Sequence, residues 1–482
     1  MINNYSSYNN SSYQNGVDWL TILLYAILVI FGWLNLYAAN FNPEVKVFFS
    51  VDAEYFKQLI WVIITMALAG VVMMADSKML VEFAPILYVV SLLILGVTLV
   101  IGKEVNGAKA WLGFGPVQFQ PVELAKISTA LLVSRVMSRY GFRFSFNNYV
   151  KLFSLLLIPI ALVLLQNDTG SALIFLVLIL PMFREGLTGH ILCLGFVCIV
   201  GAIATLLLDS WIVMASCLTT ALLVVSVYLY HLAQNKVLIR AAIITVVASA
   251  ATASALYLLH KPIRYDIIIL VGAVGFSVYL LAVAISKRIK YLTSILMYLW
   301  MGLCISFATG YIFNNILIEH QRTRINVLFG IEEDPQGAGW NLKQSLIAIG
   351  SGGVTGKGFL EGTQTKLNFV PKQSTDFIFC TVGEEWGFIG CAFLIILYII
   401  FFIRLIHLAE KQHSVFSRVY GYCIVCIFFF HFAVNICMTI GLMPVIGIPL
   451  PFFSYGGSSF LGFSLMLFLF LRLDKDRQEL IR

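Results

Sequence analysis

Long apolar runs separated by short polar breaks dominate the 482-residue chain. A bilayer-spanning helix needs about 20 mostly apolar residues. Runs of that order fall near 17–39, 58–75, 80–101, 120–138, 150–166, 170–184, 188–208, 211–233, 239–259, 264–286, 290–316, 376–405, 417–441 and 455–473. They predict an all-α polytopic membrane protein with about fourteen transmembrane helices, the run at 170–184 being the shortest. Residues 1–16 are polar and lack a basic n-region, so they read as a disordered tail rather than a cleavable signal. Residues 317–375 break the pattern. They are rich in glycine and polar residues and too long for a mere connection, which marks a functional loop.

Composition agrees: 60% of residues are hydrophobic and 11% charged, against about 45–50% and 25% in an ordinary soluble domain. A soluble enzyme, a disordered regulator and a secreted disulfide module are excluded together. The net charge of +7 does not point to nucleic acid, because the basic residues sit in short loops rather than on one surface. With the N-terminus placed in the cytoplasm, eighteen basic residues fall inside, including Arg135, Arg139, Arg184, Arg404 and Arg418, and twelve fall outside. Six of those twelve belong to the 317–375 loop, so the short loops divide eighteen against six. By the positive-inside rule both termini are cytoplasmic and the large loop lies outside. The nine cysteines lie in or beside apolar runs, and Cys423 and Cys426 lack a second pair at metal spacing.

Charges inside spans are costly, so each marks a candidate site. Glu123 and Lys126, three residues apart on one helix face, follow Gln120 and Pro121, where proline suits a first helical turn. They either form a structural ion pair or line a polar cavity that admits a charged headgroup. Asp168, in the break 166–170, either caps the next helix or points into the same cavity. Of Glu384 and Glu385, at least one must face protein or water rather than lipid. The exterior loop carries Arg322, Arg324, the acidic run Glu332, Glu333 and Asp334, and a glycine-rich turn around Lys357. That turn is not a P-loop, because Ser351 stands where the motif needs glycine and Gly358 where it needs Ser or Thr. It serves either as flexible spacing or to expose backbone N–H groups to an anion such as pyrophosphate. The acids admit a hard cation, Mg2+ or Mn2+, although three consecutive carboxylates point in different directions. Carboxylates, guanidinium groups and a Gly-Lys turn at a membrane surface suit a lipid bearing a pyrophosphate.

Several segments together resemble one family. They are Asn106–Leu112 (NGAKAWL), Gln120–Lys126 (QPVELAK), Asp334–Gly339 (DPQGAG), Gln344–Gly353 (QSLIAIGSGG), Thr375–Phe379 (TDFIF), Glu384–Glu385 and Gly441–Gly457 (GLMPVIGIPLPFFSYGG). This chain is similar to the SEDS proteins (shape, elongation, division and sporulation). Gly362–Thr365 (GTQT) and Phe369–Pro371 (FVP) are closer to the rod-shape branch than to the division branch.

The resemblance implies a peptidoglycan glycosyltransferase of the bacterial inner membrane. It would polymerise lipid II at the outer face, for cell elongation, beside a class B penicillin-binding protein and other elongation-machinery proteins. It places the essential loop aspartate on Asp334 and the membrane Glu/Lys pair on Glu123 and Lys126. Asp168, Trp111, Arg322, Arg324 and Lys357 complete the substrate-binding candidates. Two departures stand out. The family usually has Gln-Pro-Asp where this chain has Gln166, Asn167 and Asp168, and it usually has about ten spans, so 209–289 reads as an insertion. The expected organisation is a tail at 1–16, core at 17–208, inserted helices at 209–289, core at 290–316, catalytic loop at 317–375, core at 376–473 and a cytoplasmic tail at 474–482. The rival readings are a flippase or transporter for lipid-linked precursors, which would use the intramembrane charges, and a non-catalytic scaffold.

Overall fold

A computed structural model describes residues 16–41, 53–105, 107–114, 117–233, 265–287, 290–317, 319–331, 337–367 and 369–477. The expected span at 239–259 lies outside the described residues, as does Asp334. Ten of the described helices are long and apolar enough to cross a membrane. Thr169–Arg184 and Ser210–Val225 are shorter apolar stretches.

The chain divides into two compact units, Met1–Leu187 with Gly330–Arg482, and Thr188–Phe329. The first contains α1 (Trp19–Ala39), α2 (Glu54–Met74), α3 (Ser77–Ile101), α4 (Pro121–Met137), α5 (Phe146–Leu165), α6 (Thr169–Val177) and α7 (Ile179–Arg184). The second contains α8 (Gly189–Leu207), α9 (Ser210–Ala233), α10 (Tyr265–Lys287), α11 (Lys290–Asn315) and α12 (Glu319–Leu328). The chain then returns to the first unit with α13 (Ala338–Ser351), α14 (Thr363–Lys366), α15 (Ile378–Glu410), α16 (Val415–Thr439) and α17 (Gly457–Asp476). In the second unit, Leu218 and Leu222 of α9, Phe276 and Leu280 of α10 and Leu296 and Leu303 of α11 form one apolar core. The unit takes in the described part of 209–289 together with its flanking helices.

Local chemistry explains the boundaries in the first unit. Pro121 opens α4, where its missing N–H costs nothing. The run at 170–184 splits at Leu178 because Pro181 cannot donate to the carbonyl of Val177 and crowds it. Residues 103–119 form three short antiparallel strands, β1 (Lys103–Val105), β2 (Ala108–Phe114) and β3 (Val117–Phe119), an addition to the expected all-α pattern. Val105 pairs with Ala108, and Gly107, in the tight connection between them, has φ +82°. That Asn-Gly pair was the legible signal for the hairpin. Within the sheet Ala110 and Leu112 alternate inward as a strand requires.

One end of the first unit is held by ion pairs. Arg404 binds Asp18, Arg184 binds Glu410 and Arg418 binds Glu185, the last two at 2.8 Å. Its outer surface is apolar along the helices, with Ile63, Val71, Leu93 and Phe388 exposed, as a lipid-facing surface requires.

Between α16 and α17 the backbone does not span but dips. Phe452, near its tip, packs its ring 5.1 Å from that of Tyr25. Tyr25 lies fourteen residues from the end of α1, so the dip reaches about 20 Å into the bundle at 1.5 Å per residue. Non-helical backbone survives at such depth only when protein satisfies its polar groups. Asn435 donates to the carbonyls of Ile448 (2.7 Å) and Asp376 (2.8 Å), and the Tyr398 hydroxyl donates to that of Pro451. Ser454 accepts from the Leu450 N–H at 2.9 Å. Phe452 adopts φ +63°, a strain of about 1–3 kcal/mol that the packing of Tyr25, Phe401 and Phe428 around its ring holds in place. Tyr398→Phe keeps the ring and deletes the donor to Pro451. It should cost about 1–3 kcal/mol, measured as a lower Tm of the detergent-solubilised protein.

Candidate functional site

Polar groups gather at the other end of the first unit. The Lys109 N–H donates to the Gln166 carbonyl (2.9 Å), and the Gln166 side chain donates to Leu95 (3.0 Å), tying β2, the α5–α6 turn and α3 together. Asn167 has φ +61°, a conformation closed to proline, whose ring fixes φ near −65°. The departure at this position therefore corresponds to a different turn. Asp168 caps α6, accepting from the Ser171 N–H (3.0 Å) and hydroxyl (2.7 Å), and also takes Gln120 Nε2 at 3.4 Å. Of the two readings of Asp168, the cap is realised.

Glu123 and Lys126 pair at 2.8 Å, with their side chains only 5% and 1% exposed. The ammonium also lies 3.2 Å from His431 Nε2 and 4.9 Å from the centre of the Phe463 ring. Sequence reading passed over His431. Its signal is its place four residues before Asn435, on the α16 face that meets the dipping segment. Gly462 permits the close approach of α17, since a Cβ there would lie 2.7 Å from Glu123 Oε2.

The glycine-rich turn is fastened rather than open. Lys357 N and Gly358 N donate to the carbonyls of Glu384 and Glu385 at 3.0 Å, while Phe388 N and Ile389 N donate back to Gly353 and Val354. The exchange is possible because Gly387 (φ +64°) interrupts α15 and frees its backbone groups. A Cβ on Gly356 would sit 2.1 Å from the Glu385 carbonyl, so only glycine fits. The N–H groups of Lys357 and Gly358, candidates to hold an anion, are thus taken by the broken helix.

Glu384 is fully buried beneath this turn. It accepts Lys357 Nζ (2.7 Å) and the N–H groups of Thr363 (2.7 Å), Gln364 (2.9 Å) and Thr365 (3.0 Å). Lys357 also donates to the Thr363 hydroxyl at 2.7 Å. Both Glu384 and Glu385 face protein.

Trp111 lies half-buried on β2, opposite Lys103. Arg322 and Arg324 lie on α12 in the second unit, where Arg322 donates to the Asn314 carbonyl at 2.8 Å. Among the described residues no three His, Cys, Asp or Glu side chains come together to hold a metal ion.

The fold defines a polytopic membrane protein with polar clusters at one end of its main helical unit, one of them fastened under a glycine-rich loop. The chain belongs to the FtsW/RodA/SpoVE cell cycle protein family, whose profile matches residues 18–222 and 220–479. It is 31% identical over 446 residues to the peptidoglycan glycosyltransferase RodA of Treponema pallidum (strain Nichols), covering 92% of this chain and 94% of the relative. It is 30% identical over 399 residues to the peptidoglycan glycosyltransferase MrdB of Escherichia coli (strain K12), covering 82% and 79%. Among solved structures it resembles a chain described under structural coordination of polymerization and crosslinking by a peptidoglycan synthase complex. The TM-score there is 0.61 at 24% identity, over 96% of this chain and 98% of the other. The rod shape determining protein RodA of Thermus thermophilus matches with TM-score 0.52 at 24% identity, with the same coverage. These two likenesses concern the fold.

The Glu384 latch has a direct consequence. Glu384→Ala leaves three N–H groups and one ammonium without their acceptor, at a cost of about 3 kcal/mol or more. The expected outcome is a lower Tm and faster proteolytic cleavage within 353–375.

Proposed function

We propose that the chain is a peptidoglycan glycosyltransferase that polymerises lipid II at the outer face of the bacterial inner membrane, for cell elongation. The observation that carries this reading is near full-length similarity to relatives named for that activity. The ion-paired end, rich in arginine, would face the cytoplasm and the latched loop the exterior, as the distribution of basic residues requires.

In the proposed reaction the acceptor sugar's 4-hydroxyl attacks the donor's anomeric carbon with inversion. The bond to the polyprenyl pyrophosphate breaks with its electron pair, and Asp334 takes the hydroxyl proton. The logic follows an inverting glycosidase with a sugar hydroxyl in place of water. A free aspartate, with pKa about 3.9, is a feeble base, and partial desolvation at the membrane surface would strengthen it. Base catalysis of this kind contributes about 10²–10⁴-fold.

Arg322, Arg324 and Lys357 are the candidates to neutralise the departing pyrophosphate. Lys357 would have to share its ammonium with Glu384 and Thr363. A Mg2+ or Mn2+ ion at the acidic run 332–334 would supply the same charge. Titrating Mg2+ against EDTA in the assay separates a cation-borne leaving group from one carried by these side chains.

A class B penicillin-binding protein is the proposed partner, since crosslinking must follow strand formation. The translocation reading needs Glu123 and Lys126 on an open route, and their burial as a pair counts against it.

Purified Asp334→Asn should fold as the wild type and lose strand synthesis from lipid II by about 10²-fold or more. Gel analysis of the glycan product measures it. Strands made by the variant at the wild-type rate would remove Asp334 from the mechanism.

A further inference from the structure

Besides the ion pair, the buried centre where α4, α16 and α17 meet holds His431, a titratable side chain that the proposed chemistry does not use. Its two nitrogens have different partners. Nδ1 lies 3.2 Å from the carbonyl oxygen of Pro449 in the dipping segment, and Nε2 lies 3.2 Å from Lys126 Nζ.

These contacts assign the tautomer. A carbonyl oxygen only accepts, so Nδ1 must carry the proton. An ammonium only donates, so Nε2 must present its lone pair. A doubly protonated ring would instead set two like charges 3.2 Å apart in a buried site, where Glu123 is already paired with Lys126. Lys126 then has three acceptors: Glu123 from its own helix, His431 from α16 and the Phe463 ring from α17. Because Pro449 anchors the far side of the imidazole, the acceptor for Lys126 is fixed by the same backbone dip that organises the bundle.

We infer that His431 is a positioning residue: as a neutral imidazole protonated on Nδ1, it holds the Lys126 ammonium against Glu123 and so sets the first turns of α4 beside Asp168. This inference rests on the glycosyltransferase reading for its effect on rate, but not for its geometry. Glu123 lies in the same opening turn that Gln120, the N-cap of α4, ties to Asp168. An ammonium that loses the His431 acceptor pulls on Glu123 and loosens that turn.

Two variants divide the contacts of His431. His431→Asn keeps a short side-chain amide able to donate to Pro449 but ends too early to reach Lys126. His431→Gln places an acceptor oxygen near the position of Nε2. In a lipid II polymerisation assay with the full-length chain, the asparagine variant should lose about tenfold or more in kcat, the glutamine variant staying within about threefold of wild type. Both should keep the wild-type Tm to within a few degrees, which separates positioning from folding.

The second readout needs no activity. In ¹⁵N-histidine-labelled protein, the ring signals that His431→Gln removes should show a protonated Nδ1 and a bare Nε2. An imidazolium, or a proton on Nε2, overturns the inference. Equal rates for wild type, His431→Asn and His431→Gln also overturn it. If the wild-type chain makes no strands, the glycosyltransferase reading fails by itself, and the ring-nitrogen signals still decide the state of His431.

Discussion

A backbone that enters a lipid-embedded bundle without forming a helix must find every hydrogen-bond partner inside the protein, because lipid offers none. That constraint organises the first unit. The segment before α17 brings the carbonyls of Ile448, Pro449 and Pro451 deep among the helices, and Asn435, His431 and Tyr398 meet them one by one. His431 and Asn435 lie four residues apart on one face of α16, so the orientation of that helix is set by the dip it serves. Burial follows: 72% of the apolar window of α16 and 78% of that of α17 lie inside, against 17% for α2.

The polar end repeats the principle with a broken helix. Gly387 interrupts α15, and the carbonyls and N–H groups thereby freed are taken up by the loop at 353–358. Glu384, just before the break, supplies a buried carboxylate on which Lys357 and the opening turn of α14 converge. Lys357 is part of the fastening of the loop before it is anything else. The ion pairs at the opposite end have more exposed members, and such pairs are individually worth little. Their part is to mark the side on which positive charge collects.

Much of the site was legible as residue types at fixed spacing. Glu123 and Lys126 three apart implied a shared face, Pro121 implied the start of α4, and Asp168 offered a cap. Each of these depends on neighbours within one turn, so short-range pattern suffices. Glu384 was visible as a charge that could not face lipid, but its partners are nineteen or more residues away along the chain. The hairpin at 103–114 carried its Asn-Gly signal and was hidden only by the dominance of apolar runs around it.

By itself the sequence determined a membrane-embedded helical protein with a polar loop and a short set of intramembrane charges. Hydrophobic length and charge cost are properties of the chain against lipid, whatever the packing. Tertiary structure alone decided that Glu123 and Lys126 close on each other and on His431, that the glycine turn spends its N–H groups on a broken helix, and that Phe452 takes a left-handed backbone among aromatic rings. Those outcomes arise because a buried donor or acceptor must be matched by whichever group the fold brings within 3 Å or so, and distance along the chain says nothing about that.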